Sequence, residues 1–182
     1  GSVETGRIIA KEAAIKGMNM NRQGQSCSST SRVLVHESIH GEVTQELVKQ
    51  TEALPVGLPW LTDNEVGPIV SDTPFNNIMD FIHSGQTQGA VLLTGGERPT
   101  APELADGFFI SPTVFDKVTA EMQIGNQEIF GPVMSVMPWS DYEKMTSCAN
   151  GQMYGLTASI ITNDLKHAME TAERIEAGYV WI

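Results

Sequence analysis

Apolar residues recur along the chain with two periods, about 3.6 residues and about 2 residues, and stretches of each kind take turns. Ser2 opens a stretch to Ala14 that reads as a capped helix with an acid in its first turn. Ile39, Val43, Leu47 and Val48 stand at helical intervals between Ile39 and Ala53, before Pro55, Gly57 and Pro59 interrupt the pattern. Phe75, Ile78, Met79 and Ile82 do the same over Pro74–Ser84, with Pro74 suited to a first turn. Two further helices are predicted, one over Asp141–Asn150 opened by its Asp, the other over Asp164–Ala177 with Gly178 just past its end. Strand-length apolar runs fall at Arg32–His36, Ala90–Thr94, Val133–Trp139, Leu156–Thr162 and Tyr179–Ile182. Phe108–Ile110 and Thr113–Phe115 suggest extended chain around Pro112, and Gly17–Gln25 an irregular segment. Strands alternating with helices predict an α/β fold with a largely parallel sheet flanked by helices.

Composition narrows the setting more than the chemistry. The 182 residues allow one domain with a real core, or two small ones, and 41% hydrophobic with 18% charged residues is ordinary for a globular protein. Eleven basic against 22 acidic residues leave a net charge of −11, and no basic cluster interrupts it. Binding to nucleic acid or to an anionic membrane needs clustered Lys and Arg, so neither is expected as a partner. Cys27 and Cys148 do not amount to a disulfide framework, which points to a reducing, cytoplasmic setting. No apolar run approaches bilayer-spanning length, and the opening residues lack a signal-peptide layout.

Candidate chemistry begins at Gly24-Gln25-Ser26-Cys27-Ser28-Ser29, where a thiol stands among small polar residues with no apolar periodicity to make it a core cysteine. A nucleophilic thiol must be accessible and deprotonated, and this surrounding suits access. Cys148 sits on a predicted helix and is expected to pack. A cysteine hydrolase pairing Cys27 with His167 is one alternative, because papain-like proteases carry their histidine roughly 130–150 residues after the cysteine. Gln23 is too close to Cys27 for that pattern, Ser28 replaces its aromatic, and little chain follows His167, which is expected on a solvated helix face. Metal ligation is not expected. Downstream, Glu128-Ile129-Phe130-Gly131-Pro132-Val133 combines a carboxylate, an aromatic ring and a tight turn. By themselves these would be a surface Glu and a core Phe.

Taken together and in this order, the two motifs resemble the aldehyde dehydrogenase superfamily. The resemblance extends through Gly1-Ser2-Val3-Glu4-Thr5-Gly6-Arg7, Arg32-Val33, Gly67-Pro68-Ile69-Val70-Ser71, Gly107–Thr113, Asn150 with Tyr154-Gly155-Leu156, and Ala177–Ile182. It implies an oxidoreductase that oxidises a small-molecule aldehyde to a carboxylic acid with NAD or NADP. In that mechanism Cys27 attacks the carbonyl, and a thiohemiacetal and then a thioester form on it. Glu128 would accept hydrogen bonds from the nicotinamide-side ribose, Phe130 would pack beside the nicotinamide, and Ser2 would meet the pyrophosphate at a helix N-terminus. The fold implied is that of the family's catalytic domain: residues 1–14 would end the cofactor-binding domain, and residues 15–182 would form a catalytic domain truncated at its C-terminal end. Homo-oligomers are implied for the full-length form. Asn150 would hold a loop near the site, Arg32 would pair with a carboxylate, and Pro112 and Gly155 would shape turns.

Departures from the family pattern are equally specific. The Glu-Leu-Gly-Gly-Lys segment, whose Glu activates the deacylating water, has no counterpart, and Ala14 runs directly into Ile15-Lys16-Gly17-Met18. The expectation is therefore a working dehydrogenase only in a longer parent chain, with turnover by these 182 residues alone doubtful. The alternative is a non-catalytic fragment or pseudoenzyme with an interaction role.

Overall fold

The structure, a computed structural model, describes residues 13–182. Four strands form the main sheet: β1 (Arg32–His36), β2 (Val91–Thr94), β3 (Thr113–Asp116) and β4 (Val133–Trp139), in the order β1-β4-β3-β2. β4 runs parallel to both β1 and β3, while β2 joins β3 antiparallel. A second, parallel pair holds β5 (Thr157–Ser159) and β6 (Tyr179–Trp181). Beyond a helical stretch at 13–17, the helices among the described residues are α1 (Glu37–Glu52), α2 (Asp72–Thr87), α3 (Gln123–Asn126), α4 (Tyr142–Asn150) and α5 (Leu165–Arg174). The expected α/β fold with a largely parallel sheet is the one observed.

Residue periodicity explains the layering. Along β4, Val133 and Met137 enter a core with Ile78 and Ile82 of α2, Phe115 and Ile124. Met134 and Val136 enter the opposite core, with Val43 and Leu47 of α1, Met18 and Val114. A strand buried on both faces reads as a continuous apolar run, as this one does. Its one polar residue, Ser135, is fully buried and donates its hydroxyl to Ile124 O at 2.8 Å. Asp141 caps α4 through Lys144 N–H, and Asp164 caps α5 through His167 N–H, both as expected for helix-opening acids.

Several boundaries differ from the sequence expectation. Within Gly17–Gln25, Met20–Arg22 forms a 3-10 turn flanked by Asn19 and Gln23 in the left-handed region. α3 and a 3-10 turn at Pro102–Leu104 were not foreseen. Phe108–Ile110 is not a ladder strand, although Phe108 O accepts from Ile69 N–H. α5 ends at Arg174, short of Ala177, with Ile175 extended. The cause is Asn150, whose Nδ2 donates to Arg174 O and whose Oδ1 accepts from Glu176 N–H, replacing the next helical bonds. Gly178 is consequently not a helix cap; its N–H donates to Gly155 O.

Candidate active site

Cys27 occupies a turn closed by Ser29 N–H donating to Ser26 O at 3.0 Å, and its side chain is exposed. The loop around it is held at several points. Gln25 N–H donates to Arg22 O, and the Gln25 Oε1 accepts from Val70 N–H at 3.1 Å. Thr30 N–H donates to Gly17 O, and the Ser29 hydroxyl donates to Gly24 O. Gly24 has φ +66°, and a Cβ there would lie 2.2 Å from Gly131 O. A side chain is excluded on both counts, so the Cys27 loop packs backbone to backbone on the Gly131-Pro132 turn.

Burial alternates along the second motif. Ile129 is buried in the α2-side core, while Glu128 and Phe130 face outward. Phe130 has φ +54°, a left-handed conformation that a bulky residue rarely adopts, and the residue is 41% exposed. Pro132 O accepts from Thr113 N–H at 2.8 Å, which docks this segment on β3. The segment Gly67–Ser71 is tied to both the cysteine loop, through Gln25, and Gly107–Thr113, through Ile69. Segments far apart in sequence thus meet at one end of the sheet.

Cys27, Glu128 and Phe130 line one cavity of about 610 Å³, together with Tyr154 and Leu156. Cys148 is half-buried, and burial pushes its thiol pKa up, which suits packing and not reactivity. Among the described residues Arg32 meets no carboxylate: its guanidinium donates to Cys148 O and Ala149 O, in the last turn of α4. Those carbonyls carry the negative end of the helix dipole, so they serve as the anion that was expected. Burial lowers the Arg32 pKa from its ordinary value. Asn150 holds the end of α5, as described above, and Gly155 lies where a Cβ would stand 2.7 Å from Glu176 O. His167 lines the same cavity, but its ring packs against Tyr142 at 4.9 Å between centroids. Ser2 lies outside the described residues. Sequence reasoning overlooked Tyr154 as a cavity wall and the left-handed Phe130, neither of which has a local residue signature.

Comparison with known proteins decides the family. The model of the aldehyde dehydrogenase family matches residues 8–182. This chain belongs to the aldehyde dehydrogenase family. Aldehyde dehydrogenase tropH of Talaromyces stipitatus is 41% identical over 170 residues, covering 91% of this chain and 33% of that protein. Peroxisomal aminoaldehyde dehydrogenase 1 of Pisum sativum is 40% identical over 159 residues, covering 87% of this chain and 31% of its own length. Among solved structures, the NAD+ complex of the Bacillus cereus aldehyde dehydrogenase superposes with a TM-score of 0.88 at 37% identity, covering 94% of this chain and 34% of that one. Betaine aldehyde dehydrogenase of Staphylococcus aureus in complex with NAD+ gives 0.92 at 32%, covering 97% and 35%. The chain therefore spans about a third of the length of the relatives it matches. Among the described residues no helix is long and apolar enough to cross a membrane.

Proposed function

We propose that this segment carries the nucleophile of an NAD(P)-dependent aldehyde dehydrogenase, with Cys27 attacking the aldehyde. The observation that carries this is the packing of the Cys27 loop on the Gly131-Pro132 turn, which sets Cys27, Glu128 and Phe130 around one cavity. The Cys27 thiolate adds to the carbonyl carbon to give a thiohemiacetal. Among the described residues the Cys27 N–H makes no backbone hydrogen bond, so it is available to the developing oxyanion. A bound NAD(P)+ would supply the acceptor for the hydride on this carbon. Cys27 then holds an acyl thioester, which water cleaves to the carboxylic acid and the free thiol.

The residues present fit the nicotinamide end of such a cofactor. An outward Glu128 carboxylate suits ribose hydroxyls, and the Phe130 ring offers an aromatic surface next to it. Both related structures described above hold NAD+, which favours the same class of cofactor here. Ser2 is retained as the pyrophosphate contact on its motif alone. Residues 15–182 are assigned to the catalytic domain and residues 1–14 to the end of the cofactor-binding one, in an architecture that self-associates. The assignment is tested by trapping: aldehyde and NAD+ are added to a dehydrogenase of full family length carrying this segment, followed by rapid acid quench and peptide mass analysis. An acyl group on the Cys27 peptide is expected; acylation elsewhere, or none during turnover, overturns the assignment.

A further inference from the structure

The segment Gly67–Val70 offers backbone N–H groups at Gly67, Ile69 and Val70, since Pro68 has none. Each is bonded, and two of them meet glutamine side chains from the approach to Cys27. Val70 N–H donates to the Gln25 Oε1 at 3.1 Å, and Ile69 N–H donates to Phe108 O at 2.9 Å. The Gln23 amide, oriented so that both its ends are satisfied, accepts from Gly67 N–H at 3.1 Å and donates to Arg22 O at 3.2 Å. Gln23 and Gly24 are consecutive left-handed residues, at φ +56° and +66°. That reversal turns the side chains of Gln23 and Gln25 onto the same segment. A left-handed glutamine is strained, and such strain persists only where its surroundings fix it.

A tether positions its near end only if its far end is fixed. Ile69 is buried in the α2-side core. Just before Phe108, the Arg98 guanidinium donates to Ala105 O and Gly107 O and lies over the Phe75 ring. Beyond the thiol, the Ser29 hydroxyl donates to Gly24 O and Thr30 N–H donates to Gly17 O. Between Gln25 and Ser29, the tip Ser26-Cys27-Ser28 bonds only within its own turn among the described residues. Gln25 is therefore the last outside hold on the chain before the thiol. We infer that Gln25 is a positioning residue for the aldehyde chemistry assigned above to Cys27, an inference that rests on that assignment. Its bond to Val70 N–H directs both the Cys27 thiol and the Cys27 backbone N–H toward one carbonyl position. Alkylation by a small uncharged reagent needs an accessible thiolate in any direction. Attack on a carbonyl whose oxyanion meets the Cys27 N–H needs one direction. Releasing the tether therefore separates the two reactions, which unfolding or occlusion of the loop would not do.

Two substitutions test this in a full-length dehydrogenase carrying the segment. Gln25→Met keeps the length of the side chain and removes the acceptor, whereas Gln25→Glu keeps an acceptor oxygen at the same reach. Acylation of Cys27 by propanal with NAD+ is followed by rapid acid quench and peptide mass analysis, each protein at the pH where its own rate is greatest. Gln25→Met is expected to slow acylation at least about tenfold. Its Cys27 should still react with iodoacetamide within about threefold of the parent rate. Gln25→Glu is expected to recover acylation to within about threefold of the parent. Acylation by folded Gln25→Met at the parent rate, an equal loss of both reactions, or no recovery in Gln25→Glu overturns the role of Gln25 alone. A parent that forms no acyl group on Cys27 overturns the nucleophile assignment and the role of Gln25 with it. Circular dichroism establishes whether Gln25→Met is folded. If it is not, Gln25→Glu decides: retained acylation supports the tether, and a loss of about tenfold overturns it.

Discussion

Cys27 and Cys148 are both free thiols, and their surroundings separate them. Cys27 is exposed on a turn; Cys148 is half-buried with its pKa pushed up by burial. Reaction with iodoacetamide at neutral pH is expected to modify Cys27 at least about ten times faster than Cys148, read by peptide mass spectrometry. Equal rates would deny Cys27 its special accessibility. The glycines make a second prediction at this scale. Gly24→Ala meets both a left-handed backbone and the Gly131 carbonyl, and is expected to cost at least about 2 kcal/mol in thermal or urea unfolding. Gly41→Ala, within α1 with nothing near its Cβ position, is expected to be neutral or to stabilise by up to about 1 kcal/mol. A similar loss at both positions would contradict the contact between the two motifs. The Gly24-to-Cys27 motif was legible because its residue types are unusual side by side. Phe130 in a left-handed conformation was not, since nothing near it in sequence requires a positive φ; such strain costs roughly 1–3 kcal/mol and is held only by its neighbours.

At the scale of elements, α4 and α5 are clamped together. The Arg174 guanidinium donates to both Glu143 oxygens, one at 2.8 Å, and stacks over Tyr142 at 5.0 Å from the ring centroid. Hydrogen bonding from Arg174 holds the Glu143 carboxyl below its ordinary pKa. With the folded value depressed, this pair contributes fully above the unfolded carboxylate pKa and its contribution fades as pH falls through the folded one. Glu143→Gln should therefore flatten the acid limb of stability against pH and leave the neutral-to-alkaline part of the profile parallel to that of the parent. An unchanged acid limb would show the clamp to be without effect on folding. Arg32→Met orphans two carbonyls at the end of α4 and is expected to cost about 2 kcal/mol. Helix starts were read correctly at Asp141 and Asp164 because an N-cap acts within its own turn. The end of α5 was misjudged because Asn150, from another helix, takes its last bonds.

For the whole molecule, the layering was legible because β4 places alternate residues in two cores and both α1 and α2 carry an apolar stripe. What periodicity does not carry is convergence. The meeting of the Cys27 loop, Gly67–Ser71, Gly107–Thr113 and the Gly131-Pro132 turn depends on contacts between residues distant in sequence. The chain spans about a third of its relatives' length.

The central claim, that Cys27 is the nucleophile of aldehyde oxidation, is tested most directly by aldehyde-dependent NAD+ reduction in a full-length dehydrogenase carrying this segment. Cys27→Ala is expected to abolish the absorbance change while Cys148→Ala retains it. Full activity in Cys27→Ala would contradict the account.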